Sequence, residues 1–502
     1  MKEFLTLSAG WQFKQRNPSI QLEENFNLLE GWNHTIVPGC IHTDLLDAGL
    51  IPDPFYGMNE QEVQWVGESD WLYRYFFTLP NEFEKRPALD LCFDGLDTFA
   101  TVWLNGKEIL TAANMFVPYR VSIRGIARSG HNELRILFES ALRRGKELEK
   151  QYGKRAAWNT DASRVYVRKA QYHYGWDWGP TLITAGIWRE VRLEAYTARI
   201  DTIFCPAEIG EDLKKAIVPV SVEIDNHSSL PLYLKLVLFD HYGITTSEAT
   251  IPIDDSKIQH TFEIIDPLLW EPSGRLGAQP QYRVEASLLN GEKELDHKDC
   301  KFGIRRLCLL QNPLEGEAGS SFTFEVNNMP LFCRGANWIP ADSFTTRVTR
   351  ENYESWVQLA VAANMNMLRV WGGGIYEEDA FYDLCDEMGI MVWQDFMFAC
   401  GIYPAHPEFL ESVKAEAVAN LRRLRNHPCI VLWNGNNEDY SIAQSLGAYD
   451  ANFKDDFIAT AFPAREIYER LLPEICAQLD PTRPYWRGSP YAGADADDPT
   501  QG

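Results

Sequence analysis

The chain has 502 residues, 45% of them hydrophobic and 24% charged, the balance of an ordinary globular protein. At roughly 150 residues per domain there is room for about three domains. The formal net charge of −24 repels a phosphate backbone and sets nucleic acid aside as a partner, whereas a neutral or cationic small molecule is easily accepted.

The opening stretch, MKEFLTLSAGWQFKQR, has no apolar h-region and no small-residue cleavage pattern, so no signal peptide is expected. No window of about 18 apolar residues occurs, so no membrane span or membrane partner is expected. Ten cysteines are scattered without a CxxC pair or zinc-finger spacing. Several, Cys92 and Cys429 among them, lie in apolar strand-like runs. They read as reduced core thiols of a cytoplasmic protein. NxS/T sequons at Asn33 and Asn226 mean little without a secretory signal.

Residues 1–200 have the texture of short strands and turns: WLYRYFFTL (71–79), ALDLCFDGL (88–96), TFATVWLNGKEI (98–109) and NELRILFES (132–140). Asn105-Gly106 marks a tight turn between two such runs. The pattern predicts a β-sandwich of jelly-roll type. Residues 201–305 continue the alternation in AIVPVSVEI, LYLKLVLFD and QYRVEASLL, which predicts a smaller immunoglobulin-like sandwich.

From 306 to 502 apolar runs alternate with helix-period segments. The runs are LFCRGANW (331–338), NMLRVWGGG (366–374), IMVWQDF (390–396), CIVLWNGNNE (429–438) and PYWRGSP (484–490). Between the second and third, EEDAFYDLCDEMG puts Ala380, Phe381, Leu384, Cys385 and Met388 on one helical face. Continuous apolar strands separated by helices predict a parallel sheet with helices outside. Each run ends in polar or special residues, the layout of a (β/α)₈ TIM barrel with its chemistry at the C-terminal strand ends. Asn437 and Glu438 are the leading functional pair; for Asn434 and Asp439, capping of the next helix is an equal reading.

Gly372-Gly373-Gly374 is not a dinucleotide fingerprint, because Glu377 stands where the last glycine belongs. No phosphate loop, GxSxG elbow, HExxH or paired-His pattern occurs, so no cofactor and no metal is expected.

Three long motifs, VRKAQYHYGWDWGP (167–180), NMLRVWGGGIYE (366–377) and WNGNNE (433–438), carry a resemblance to β-mannosidases of glycoside hydrolase family 2, spanning essentially the whole chain. The resemblance implies a sugar-binding-like sandwich, an immunoglobulin-like domain and a catalytic barrel. It implies retaining removal of terminal non-reducing β-D-mannose from oligosaccharides or glycan fragments. Glu438 would be the general acid/base, and Asn437 would bind the sugar 2-hydroxyl. Arg369 would steady the nucleophilic carboxylate, and Trp176, Asp177 and Trp178 would reach over the barrel mouth. Trp371 and Asp395 would line that mouth, and Trp486 is a candidate stacking platform. RVWGG at the second strand, together with WDWGP, favours mannose over the substrates of β-galactosidase and β-glucuronidase relatives.

The family places its nucleophilic Glu at the seventh barrel strand, and only five strands are counted here. The nucleophile is therefore expected beyond residue 502, and the chain is expected to be part of a longer enzyme, inactive alone. Asp395 is the one carboxylate weighed as a stand-in, and it is disfavoured. A non-catalytic mannoside-binding protein, or a family 2 β-glycosidase of other specificity, are the alternative readings; homo-oligomerisation is left open.

Overall fold

The computed structural model describes residues 1–493 apart from Arg275, Leu276 and Ala318. The last residues of the expected third domain, 494–502, lie outside the described residues.

Two antiparallel sheets build the first sandwich. The six-stranded sheet runs in the order Asn33–Ile36, Ala9–Gln15, Trp71–Thr78, His131–Glu139, Phe99–Leu104 and Lys107–Ala113. The four-stranded sheet joins Glu3–Thr6, Val191–Tyr196, Ala88–Phe93 and Tyr119–Ser122. Trp11, Phe13, Trp71, Leu91, Phe93, Val102, Ile136 and Leu193 fill the space between them. The Asn105-Gly106 turn has φ of 54° and 82°, the left-handed pair that a two-residue hairpin requires.

The second sandwich is smaller. Its longest strand, Lys215–Asn226, alternates buried and half-buried positions along its length, the period-two signature of a one-sided strand. Val218, Val220 and Val222 face Leu234, Leu236, Leu238, Val284 and Leu288 in one core.

Five parallel strands follow: Gly335–Trp338, Met367–Val370, Met391–Asp395, Ile430–Asn434 and Tyr485–Trp486, hydrogen-bonded in that order. Helices Arg350–Ala362, Asp379–Met388, Pro407–Leu424 and Leu472–Leu479 lie in the connections. The helix Asp379–Met388 buries Phe381, Leu384 and Cys385 and stops at Gly389 in the left-handed conformation, the usual helix terminator. The first and fifth strands are the sheet's edges among the described residues, and Gly335, Ala336 and Asn337 of the first are exposed.

Three strands are shorter than the apolar runs suggest. The first begins at Gly335, because Leu331 belongs to a small hairpin with Thr323–Val326. The fourth ends at Asn434, four residues before Glu438. The fifth keeps only Tyr485 and Trp486.

The barrel core extends into the first sandwich. Phe116, Val165, Tyr172 and Trp188 share one apolar cluster with Trp371, Phe398, Tyr403 and Trp433. Arg168 crosses the same seam and meets Glu416 at 2.6 Å, both side chains 2% exposed. A buried pair of this kind gives little net stability but is costly to break, so it fixes how the two units face each other.

Candidate active site

The fourth strand is fully buried from Ile430 to Asn434, and the chain turns polar only where the sheet ends. Each amide there has its own task. Asn434 donates to Asp395 Oδ1 at 2.7 Å and to the Asn436 carbonyl at 2.8 Å. Asn436 accepts the Asp439 N–H at 3.1 Å, at the start of the helix Asp439–Ser445. Asp439 itself is no cap. Its carboxyl accepts the Gly401 N–H at 2.9 Å and the Tyr468 hydroxyl at 2.5 Å, and burial pushes it up to about 8.

Asn437 extends the sheet by single bridges to Ala399 and Ser489. Its carbonyl oxygen Oδ1 accepts from Arg369 at 2.9 Å, and its amide nitrogen donates to Cys400 Sγ at 3.4 Å. Glu438 follows in the left-handed conformation, φ 63°. That conformation is uncommon for a side chain with a Cβ, and where it is held it often marks a functional site. The Cys400 thiol donates to Glu438 Oε2 at 3.1 Å. Oε1 has no protein partner among the described residues, and Glu438 is only half-buried. One carboxylate oxygen is held and the other is open.

Asp395 is the reverse case. It is wholly buried, and its two oxygens accept five hydrogen bonds. Arg369 gives two, at 2.8 and 3.3 Å, Asn434 one at 2.7 Å, and the Gly372 N–H and the Trp393 indole one each at 3.0 Å. About four lone-pair sites are available on a carboxylate, so none is left for a sugar hydroxyl or for attack on carbon. The expectation that Asp395 lines the mouth is corrected: it anchors Arg369 from below. Arg369 in turn bridges Asp395 and Asn437.

The WDW motif forms a hairpin, Tyr174–Trp176 against Gly179–Thr181, with Asp177 and Trp178 at its tip. Trp176 and Trp178 meet Trp371 edge-on at 4.9 and 5.7 Å between ring centres, a favourable aromatic arrangement. Asp177 is exposed at the tip. Trp486 packs edge-on to Phe322 at 5.0 Å, and Phe322 touches Trp393.

Arg164, not singled out from sequence, ties these parts together. Its guanidinium lies 5.0 Å over Trp176 and donates to the carbonyls of Ala399 and Cys400 at 2.9 and 2.8 Å. The hairpin of the first sandwich and the loop beneath Glu438 are thus held by one side chain. Cys400 was equally hidden, since FMFAC reads as a core run.

Three family models match the chain in sequence. They are the glycosyl hydrolase 2 galactose-binding-like domain over residues 11–189, the glycosyl hydrolases family 2 domain over 198–305, and the family 2 TIM barrel domain over 320–486. The chain belongs to glycoside hydrolase family 2. Among curated relatives, β-mannosidase B of Thermothelomyces thermophilus is 48% identical over 99% of this chain, and β-mannosidase B of Emericella nidulans is 42% identical over the same share. The β-D-mannosidase of Dictyoglomus thermophilum superposes with a TM-score of 0.89 at 40% identity, over 100% of this chain and 59% of that one. This chain spans 58% of the length of the two curated relatives. The exo-chitosanase of Amycolatopsis orientalis, at 18% identity and a TM-score of 0.71 over 98% of this chain and 54% of that one, shares the fold.

Proposed function

We propose that the protein is a retaining exo-β-mannosidase, with Glu438 as its general acid/base. The observation that carries this is the Glu438 carboxylate, one oxygen held by Cys400 and the other open. It stands at the end of the Asp395–Arg369–Asn437 chain, in a protein whose relatives are β-mannosidases.

A glycosidic bond breaks when the leaving oxygen is protonated as the anomeric carbon develops positive charge. Glu438 supplies that proton, then takes one from water when the glycosyl-enzyme is hydrolysed. Arg369 holds the Asn437 carbonyl oxygen, so the amide N–H groups face away from the guanidinium. One reaches Cys400 and the other is available to the sugar 2-hydroxyl, a contact that strengthens in the transition state. Trp176, Trp178 and Trp371 form the aromatic wall of the sugar pocket, Asp177 accepts from sugar hydroxyls, and Trp486 offers a stacking face.

Retention needs a second carboxylate about 5–5.5 Å from the first. Asp395 is saturated by its five donors, and we assign the nucleophile to none of the described residues. All ten cysteines are free, eight of them buried, which supports a cytoplasmic setting. No helix among the described residues is long and apolar enough to cross a membrane.

The test is a panel of chromogenic β-glycosides on the full-length protein. Preferential cleavage of the β-mannoside supports the proposal. Preference for the β-glucoside moves the assignment to another family 2 specificity, and binding of mannosides without cleavage of any member of the panel moves it to a binding protein.

A further inference from the structure

A cavity of about 280 Å³ lies between the second sandwich and the N-terminal ends of the fourth and fifth barrel strands, the opposite end of the sheet from Glu438. Arg305, Arg306, Arg425 and Arg483 line it, against a single carboxylate, Glu208. In a chain with a net charge of −24, such a concentration of guanidinium calls for a reason.

Two of the four are neutralised. Arg306 pairs with Glu325 at 2.7 Å and Glu211 at 3.2 Å, and Arg483 pairs with Asp480 at 2.8 Å. Arg305 and Arg425 have no carboxylate partner among the described residues. Arg305 donates to the carbonyls of Pro428 and Ile430, each at 2.6 Å. Those carbonyls fix the start of the fourth strand and leave the guanidinium's third nitrogen, Nη1, without an acceptor among the described residues. Arg425 is 7% exposed, gives Nη1 to the Leu479 carbonyl at 3.0 Å and lies 4.0 Å over the Phe204 ring. Its Nε is buried without an acceptor. Glu208 is exposed and makes no ion pair among the described residues.

Buried charges are paired as a rule, because the desolvation cost of a lone ion is large. Burial, and after it the neighbouring Arg483 guanidinium, push Arg305 down to about 9. Burial, and after it Arg422, act on Arg425 in the same direction. An anion in the cavity would relieve both. A cavity lined by four arginines, with Arg305 Nη1 free of an acceptor among the described residues, suits an oxyanion with several acceptor oxygens.

We propose that this cavity is a binding site for a phosphate-class oxyanion, either inorganic phosphate or the phosphate group of a sugar ester, held by Arg305 and Arg425 and bridging the second sandwich to the base of the barrel. It needs nothing from the sugar pocket and stands apart from the function proposed above.

Calorimetric titration of the full-length protein with inorganic phosphate at constant ionic strength tests it, with a hexose 6-phosphate in a second arm and chloride as the control. Saturable one-to-one phosphate binding is expected, not reproduced by chloride. Arg425→Gln should weaken it at least about tenfold. Arg425 also supports the fold, so Ala207→Glu gives an independent check: it leaves all four arginines in place, puts a carboxylate into the cavity and should weaken phosphate similarly. Tighter binding of the hexose phosphate would identify the ester as the ligand, and tighter binding of phosphate the free ion. Absence of saturable binding, or unchanged affinity in both variants, overturns the site. Binding seen only in Glu208→Gln overturns it too, because Glu208 would then be the cavity's own anion.

Discussion

The Cys400 thiol sits 3.1 Å from Glu438 Oε2, and both residues have left-handed backbones, φ 52° and 63°. The Cys400 N–H also donates to the Asn437 carbonyl at 2.9 Å. Two loops that meet at the sheet's end therefore clasp each other, and the carboxylate is aimed by a neutral donor. Cys400→Ala removes that donor while leaving the clasp of backbone bonds. A single hydrogen bond of this type contributes about 0.5–1.5 kcal/mol, so kcat/KM on an unactivated mannoside should fall roughly two- to tenfold. Cys400→Ser should restore most of it. Equal activity in Ala and Ser variants would show that the thiol only fills space.

Trp371 supports both indoles of the WDW hairpin. Trp371→Leu should loosen the wall on that side of the pocket and lower the mannose-over-glucose ratio of kcat/KM. An unchanged ratio would remove Trp371 from the determinants of sugar choice.

Asp395 is a positioning residue. Asp395→Ala leaves Arg369, only 17% exposed, without its carboxylate, and breaking a pair of this kind costs about 3 kcal/mol or more. The urea midpoint of the barrel, followed by tryptophan fluorescence, should drop accordingly, and activity should vanish with the lost Asn437 geometry. A loss of stability under about 1 kcal/mol would mean that the five hydrogen bonds are replaceable.

Asp439 gives a pH signature. Burial raises its carboxyl from the ordinary 3.8 to about 8. Between those values the folded state keeps a proton that the unfolded state has lost, so this group's contribution to stability declines as pH rises from about 4 to 8 and then levels off. Asp439→Asn has no such decline. The difference in thermal midpoint, wild type minus variant, should therefore become steadily less favourable to wild type across that window. A difference independent of pH would place the group in the ionised form throughout.

How much of this was legible beforehand follows from where each signal is stored. The second, third and fourth barrel strands are mostly buried, so they stand out as continuous apolar runs, whereas the first is largely exposed and the fifth half-buried. The strand ends are less legible: the fourth run is expected to continue as strand through WNGNNE to Glu438, yet the ladder stops at Asn434 and only single bridges from Asn437 continue it. Glu438, Asn437 and Arg369 were singled out because polar groups stand at the ends of apolar runs and by the family resemblance, whereas the WDW tip was singled out by the resemblance alone. Cys400 and Arg164 were missed for the opposite reason. A thiol inside FMFAC matches its surroundings, and Arg164 acts on a carbonyl 235 residues away, a contact that no local pattern encodes. Asp395 was found but misread, since sequence shows a carboxylate at a strand end and not the five donors around it.

The most direct test of the acid assignment is Glu438→Gln in the full-length protein, assayed on a β-mannoside with a poor leaving group and on one with an activated nitrophenolate. A proton donor matters only when the leaving oxygen needs the proton. The poor substrate should lose activity by orders of magnitude and the activated one far less. Equal losses on the two would contradict the role of Glu438 as general acid.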